Sequence, residues 1–131
     1  MRIYLDTSAL VKLVVAEPES QALQAFLAER DTDTLFSAAL ARTELIRAVA
    51  ANGPTAIAAG REVLRGLDII GLTRQLLDDA GTLLPRSIGS LDAIHLVAAL
   101  RAGDTLRAVV TYDVRMRSAA SDLGIAVVAP R

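Results

Sequence analysis

Five short apolar runs alternate along this chain with stretches of helical period, and that alternation most narrows what it can fold into. Arg2 to Leu5, Leu35 to Ser37, Leu67 to Gly71, Ala108 to Thr111 and Ile125 to Val128 read as strands. Asp6-Thr7-Ser8 supplies helix-start chemistry before Ala9 to Leu13, and Leu23, Phe26 and Leu27 recur at i, i+3, i+4 on a helix ending near Arg30. Ser37 is expected to cap a helix over Ala39 to Asn52, which Gly53-Pro54 stops, and another helix runs from Pro54 to Arg65. Thr73 opens a helix that closes before Pro85. Ser90 is expected to cap Leu91 to Arg101, and Asp113 to Leu123 forms the last helix, with Gly124 past its end. Strands separated by helices pair in parallel, and the helices cover both faces of the sheet. The expectation is one α/β domain over residues 1–131, with a central parallel sheet flanked by helices in three layers.

Composition enters where it excludes alternatives. Hydrophobic residues make up 53% of the 131, which rules out a disordered, charge-rich chain and supports a buried core. Aromatics are only 3%, so Ala, Leu, Val and Ile must fill that core. The absence of cysteine excludes disulfides, thiolate zinc sites and a cysteine nucleophile. Asp6 interrupts the first apolar run too early for a signal peptide, and the longest uncharged stretch, Ala48 to Gly60, is too short to span a bilayer. A soluble, cytoplasmic protein is expected. The formal net charge of −1 supplies no global field toward nucleic acid, so any RNA contact must rest on local arginines and bound metal.

Ligands of open α/β sheets bind beyond the carboxyl ends of the strands. Asp6 directly follows the first strand, and Asp113 follows the fourth with only Tyr112 between. Asp92 falls in the first turn of its helix, and Glu44 borders the apolar face formed by Leu40, Ala41 and Ala48. Each acid taken alone has an ordinary reading: Asp6 and Asp113 as helix caps, Asp92 as a favourable charge at a helix start, Glu44 as a solvated side chain. Taken together, the set suits phosphodiester hydrolysis, in which two divalent ions activate water and stabilise the leaving oxygen of an in-line displacement. Mg²⁺ and Mn²⁺ prefer hard oxygen ligands. Asp78-Asp79 is a contrast: neighbours on a helix point about 100° apart, and these two read as a solvated face.

The segments around the four acids carry a resemblance. Ile3-Tyr4-Leu5-Asp6-Thr7-Ser8-Ala9-Leu10 resembles the first-strand signature of PIN domains, in particular the VapC-type toxins of bacterial toxin–antitoxin pairs. Ala41-Arg42-Thr43-Glu44-Leu45, Ser90-Leu91-Asp92-Ala93-Ile94-His95-Leu96 and Val110-Thr111-Tyr112-Asp113 are similar to the three acidic motifs that follow, in the same order. The resemblance implies a PIN fold and Mg²⁺- or Mn²⁺-dependent endoribonuclease activity. By carry-over Asp6, Glu44, Asp92 and Asp113 are the catalytic, metal-binding residues, and Ser8 and Thr111 orient the carboxylates. It also implies a homodimer and a small antitoxin whose C-terminal segment covers the site.

Arg42, Arg86, Arg115 and Arg117 lie beside the acidic motifs and are candidates for an RNA-binding rim, with ordinary solvated arginines as the alternative. His95, three residues after Asp92, reads as a structural, hydrogen-bonded histidine. Among rival functions, a phosphoacceptor receiver needs an acidic pair after the first strand and a late lysine, whereas Asp6 stands alone and Lys12 is the sole lysine. Neither glycine-rich nucleotide loop occurs. A non-catalytic PIN-like protein that binds RNA or a partner is the remaining alternative.

Overall fold

The computed structural model describes residues 1–131. Five strands, β1 (Arg2–Leu5), β2 (Thr34–Ala38), β3 (Asp68–Ile70), β4 (Leu106–Val110) and β5 (Val127–Val128), form one sheet in the order β3-β2-β1-β4-β5. Every pairing is parallel. The helices are α1 (Thr7–Val14), α2 (Ser20–Ala28), α3 (Leu40–Val49), α4 (Pro54–Arg65), α5 (Arg74–Gly81), α6 (Ser90–Leu100) and α7 (Val114–Asp122). The expected parallel α/β sheet between helix layers is what the chain forms.

Alternation along β1 explains the layering. Ile3 and Leu5 point to one face and pack with Leu10, Leu23, Leu45 and Leu64, so α1 to α4 cover that side. Tyr4 points to the other face and packs with Phe36, Leu76, Leu96, Val109 and Met116, so α5 to α7 cover the second side. All three β1 side chains are completely buried, as expected for the central strand of a sheet covered on both faces.

Several local signals read as expected, and two did not. Asp6 caps α1 by accepting the Thr7 N–H at 2.7 Å, and Thr73 caps α5 by accepting from Leu76. Gly124 adopts φ +72 beyond α7, the left-handed backbone that ends a helix without a Cβ clash. Ser37, however, is not a cap. It is buried in β2, and its hydroxyl donates to the Leu5 carbonyl at 2.7 Å, leaving Ala39 to precede α3 with no side-chain cap. Ser90 is likewise not a cap but the first residue of α6, with Gly89 ahead of it in extended backbone. Ser37 misses the cap position by two residues and Ser90 by one, so both satisfied a composition rule that a small shift of register overturns.

Candidate active site

The order β3-β2-β1-β4-β5 places the topological switch between β1 and β4, where the chain has built outward in both directions and the connecting helices diverge. Asp6 and Asp113 leave those two adjacent strands at their carboxyl ends. Tyr4 and Val109, then Leu5 and Val110, are register partners, and the Asp6 N–H donates to the Val110 carbonyl at 3.1 Å, so the two exits lie side by side.

A small hydroxyl network fixes Asp6, which is only 5% exposed. Its Oδ2 accepts from Ser8 Oγ at 2.8 Å and Thr111 Oγ1 at 2.7 Å. Those hydroxyls in turn accept the backbone N–H groups of Tyr112 and Asp113, at 2.9 and 3.1 Å. The loop leaving β4 is thereby tied to the carboxylate leaving β1, with no buried side-chain polar atom left unpaired. Asp113 caps α7 through Oδ1, which accepts from Arg115 N and Met116 N. Capping and a site role are therefore compatible, because the cap holds one oxygen and sets the direction of the other.

The remaining two acids arrive from opposite layers. Glu44, on α3, meets α6 across the end of the sheet: its Oε1 lies 2.6 Å from His95 Nε2 and accepts from Thr7 Oγ1 at 2.7 Å. His95 Nδ1 lies 2.6 Å from the Tyr4 hydroxyl, which accepts the Ala38 N–H at 3.2 Å. One tautomer satisfies this chain throughout: Tyr4 O–H donates to Nδ1, and Nε2–H donates to Glu44. Burial pushes the Glu44 carboxyl up, but the bonds from His95 and Thr7 outweigh it and leave the group below its ordinary range. Burial likewise pulls His95 down, while the Glu44 bond and the charges of Asp6, Glu44 and Asp92 raise it above the usual histidine value.

Asp92 differs from the other three. No hydrogen-bond donor reaches its carboxylate, and its pKa is raised by partial burial and by the charges of Asp113, Asp6 and Glu44. All four acids thus act on one region, and Asp92 is the member that most needs a counter-charge. A set of hard carboxylate oxygens with one self-repelling member fits Mg²⁺ or Mn²⁺. No group of three or more Asp, Glu or His side chains is placed to hold a metal ion by itself, so an ion here would have to keep much of its hydration shell.

The candidate arginines do not form a single rim. Arg115 lines a depression of about 500 Å³ beside Asp92. Arg117 lies on a separate depression with Val127, Arg86 on a cleft between α5 and α6, and Arg42 on a cleft between α3 and α4. Asp78 is exposed, and Asp79 accepts from Arg101 and Gln75, away from the four acids. Sequence reasoning missed Tyr4 and Thr7 as partners of the site. The one-turn spacing of His95 from Asp92 was the available signal for this cluster; the Tyr4 contact had none.

A five-stranded parallel sheet between helix layers, with Asp6 and Asp113 leaving adjacent strands at its switch point, is the setting in which the PIN domain profile matches residues 3–122. Among curated proteins, the ribonuclease VapC46 of Mycobacterium tuberculosis (strain ATCC 25618 / H37Rv) is 51% identical over 98% of this chain and 97% of its own length. The ribonucleases VapC47 and VapC35 of M. tuberculosis (strain CDC 1551 / Oshkosh) are 40% and 43% identical, each over 98% of this chain and 96% of their own. The crystal structure of M. tuberculosis VapC20, a toxin that cleaves the sarcin–ricin loop, superposes with a TM-score of 0.72 at 18% identity, covering 98% of this chain and 99% of that one. The chain belongs to the PIN-domain family, and within it to the VapC type.

Proposed function

We propose that this protein is a divalent-metal-dependent endoribonuclease, with Asp6, Glu44, Asp92 and Asp113 holding the ion directly or through water. The observation that carries the reading is Asp92, a carboxylate with no donor of its own, pushed up by partial burial and then by the charges of Asp113, Asp6 and Glu44. When bound, the ion supplies Lewis acidity and lowers the pKa of coordinated water. The chain's own residues do the positioning. Ser8 and Thr111 hold Asp6, backbone N–H groups hold Asp113, and Thr7 and His95 hold Glu44, so these three carboxylates are oriented before metal and substrate enter, and Asp92 alone is left without a donor. The VapC ribonucleases it resembles support RNA as the substrate. Kinship with them also supports inhibition by a small antitoxin, a homodimer, a cytoplasmic location and a single domain over residues 1–131. No helix is long and apolar enough to cross a membrane.

The test is cleavage of total cellular RNA by antitoxin-free protein with Mn²⁺, Mg²⁺ or chelator, alongside Asp6→Ala and Asp92→Ala. Discrete, metal-dependent fragments that vanish in both variants are expected. Folded protein that cuts nothing with either metal would favour a non-catalytic RNA- or partner-binding role. Cleavage that survives both substitutions would remove the site assignment.

A further inference from the structure

On the face of the molecule formed by α3 and α4, four arginines surround one cleft. Gly60 brings the two helices close: a methyl group there would stand 3.2 Å from Ile46 Cδ1 and 3.6 Å from Val49 Cγ2. Arg61 and Arg65, four residues apart, share one face of α4, and Arg42 and Arg47 line the facing side of α3. Together they wall an open cleft of about 450 Å³ that Ile46 and Leu64 also line.

The charges in this cleft are not balanced within the protein. Arg65 pairs with the exposed Glu62, but Arg42, Arg47 and Arg61 meet no carboxylate. Some arginines elsewhere are tied to acids, as in Arg107 with Asp33, Arg101 with Asp79 and Arg131 with Glu19, and those that are not, Arg74, Arg86, Arg115 and Arg117, do not share one cleft with each other as these do. In a chain of formal net charge −1, a local concentration of unpaired guanidinium groups calls for an anionic occupant.

Position selects the kind of anion. Arg47 follows Glu44 by three residues, so the helix that carries one of the four acids also walls the cleft. Arginine forks match phosphate oxygens, guanidinium planes stack on bases, and an apolar lining accepts an unstacked base. We propose that the α3–α4 cleft binds the phosphodiester backbone of single-stranded RNA next to the bond being cut. This rests on the ribonuclease reading and gives it a docking track that overall charge does not provide.

Binding measured in chelator separates the track from the chemistry. A labelled short single-stranded RNA is titrated with wild-type protein and with a variant carrying Arg42→Gln, Arg47→Gln, Arg61→Gln and Arg65→Gln, between about 50 and 200 mM salt. All four side chains are exposed, so the variant should keep its fold; Arg61→Gln with Arg65→Gln is the fallback pair, read by the same slope. Each lost phosphate contact removes about 0.7 from the salt slope, so a fall of roughly 2–3 and at least a tenfold loss of affinity are expected. With Mn²⁺, the variant should raise KM and leave kcat within about threefold.

An unchanged salt slope overturns the proposal even where the wild type cuts RNA. If the unchanged slope comes with lost binding of an oligoglutamate peptide, the cleft belongs to an acidic protein segment instead. Wild-type protein that binds RNA through these arginines but cuts nothing with any metal would keep the track and overturn the ribonuclease reading.

Discussion

Replacing Asp92 with Asn should make the metal-free protein more stable while abolishing its response to metal. Two like charges about 5 Å apart at an effective dielectric near 20 repel by roughly 3 kcal/mol. Asp92 is only partly buried, so solvent screening reduces the repulsion it feels to about 1–2 kcal/mol. The charge also sits in the first turn of α6, where its loss forfeits about 0.5 kcal/mol of favourable interaction with the helix dipole. Repulsion wins. The expected gain for Asp92→Asn in chelator is about 1 kcal/mol, or roughly 3–6 °C in Tm for a chain of this size. Wild-type protein should gain about 2.7 kcal/mol with Mn²⁺ at a hundred times its Kd, and the variant far less at the same concentration. Thermal melts of both proteins with Mn²⁺ and with chelator measure the four values. A variant that melts below wild type in chelator, or gains as much from Mn²⁺, would refute the claim that these carboxylates share one self-repelling, metal-seeking region.

Three further outcomes follow from particular bonds. Tyr4→Phe removes a fully buried hydroxyl that bridges the Ala38 N–H and His95 Nδ1, so denaturant unfolding should show a loss of about 2–3 kcal/mol. An unchanged midpoint would mean that the bridge contributes nothing. Thr111→Val keeps the shape of a buried side chain but removes one donor to Asp6 and the acceptor for the Asp113 N–H, so Mn²⁺ affinity by calorimetry should fall about 10- to 100-fold. Arg107 holds the Asp33 carboxyl down at about 2. A depressed carboxylate stabilises fully above its unfolded value and loses that contribution as pH falls through its folded value. Arg107→Gln should therefore flatten the drop in Tm between about pH 4 and pH 2, and an identical acid limb would remove the pair from the acid response.

Much of this protein is determined locally and is therefore legible in the chain. Strand and helix period depend on neighbours a few residues away, so β1, α4 and the parallel alternation follow from the order of Ile3, Leu5, Pro54 and Leu64 without knowledge of the rest. The caps at Asp6 and Thr73 are local for the same reason, and they aim the carboxylate of Asp6 before any tertiary contact forms. Ser37 and Ser90 show where local reasoning stops, since a shift of two residues leaves the first buried in a strand and a shift of one puts the second in the first turn of a helix.

Tertiary structure alone decided what meets across the end of the sheet. Glu44 and His95 are 51 residues apart, on helices covering opposite faces, and they touch only because α3 and α6 both reach past the carboxyl edge. No periodicity encodes that contact, because it depends on strand order and on how each helix is rotated against the sheet. Packing likewise sent Arg86 and Arg117 to separate surfaces and drew Arg42, Arg47, Arg61 and Arg65 around one cleft. The chain specifies its elements through short-range stereochemistry, whereas its charges find their neighbours only when the two layers close on the sheet between them.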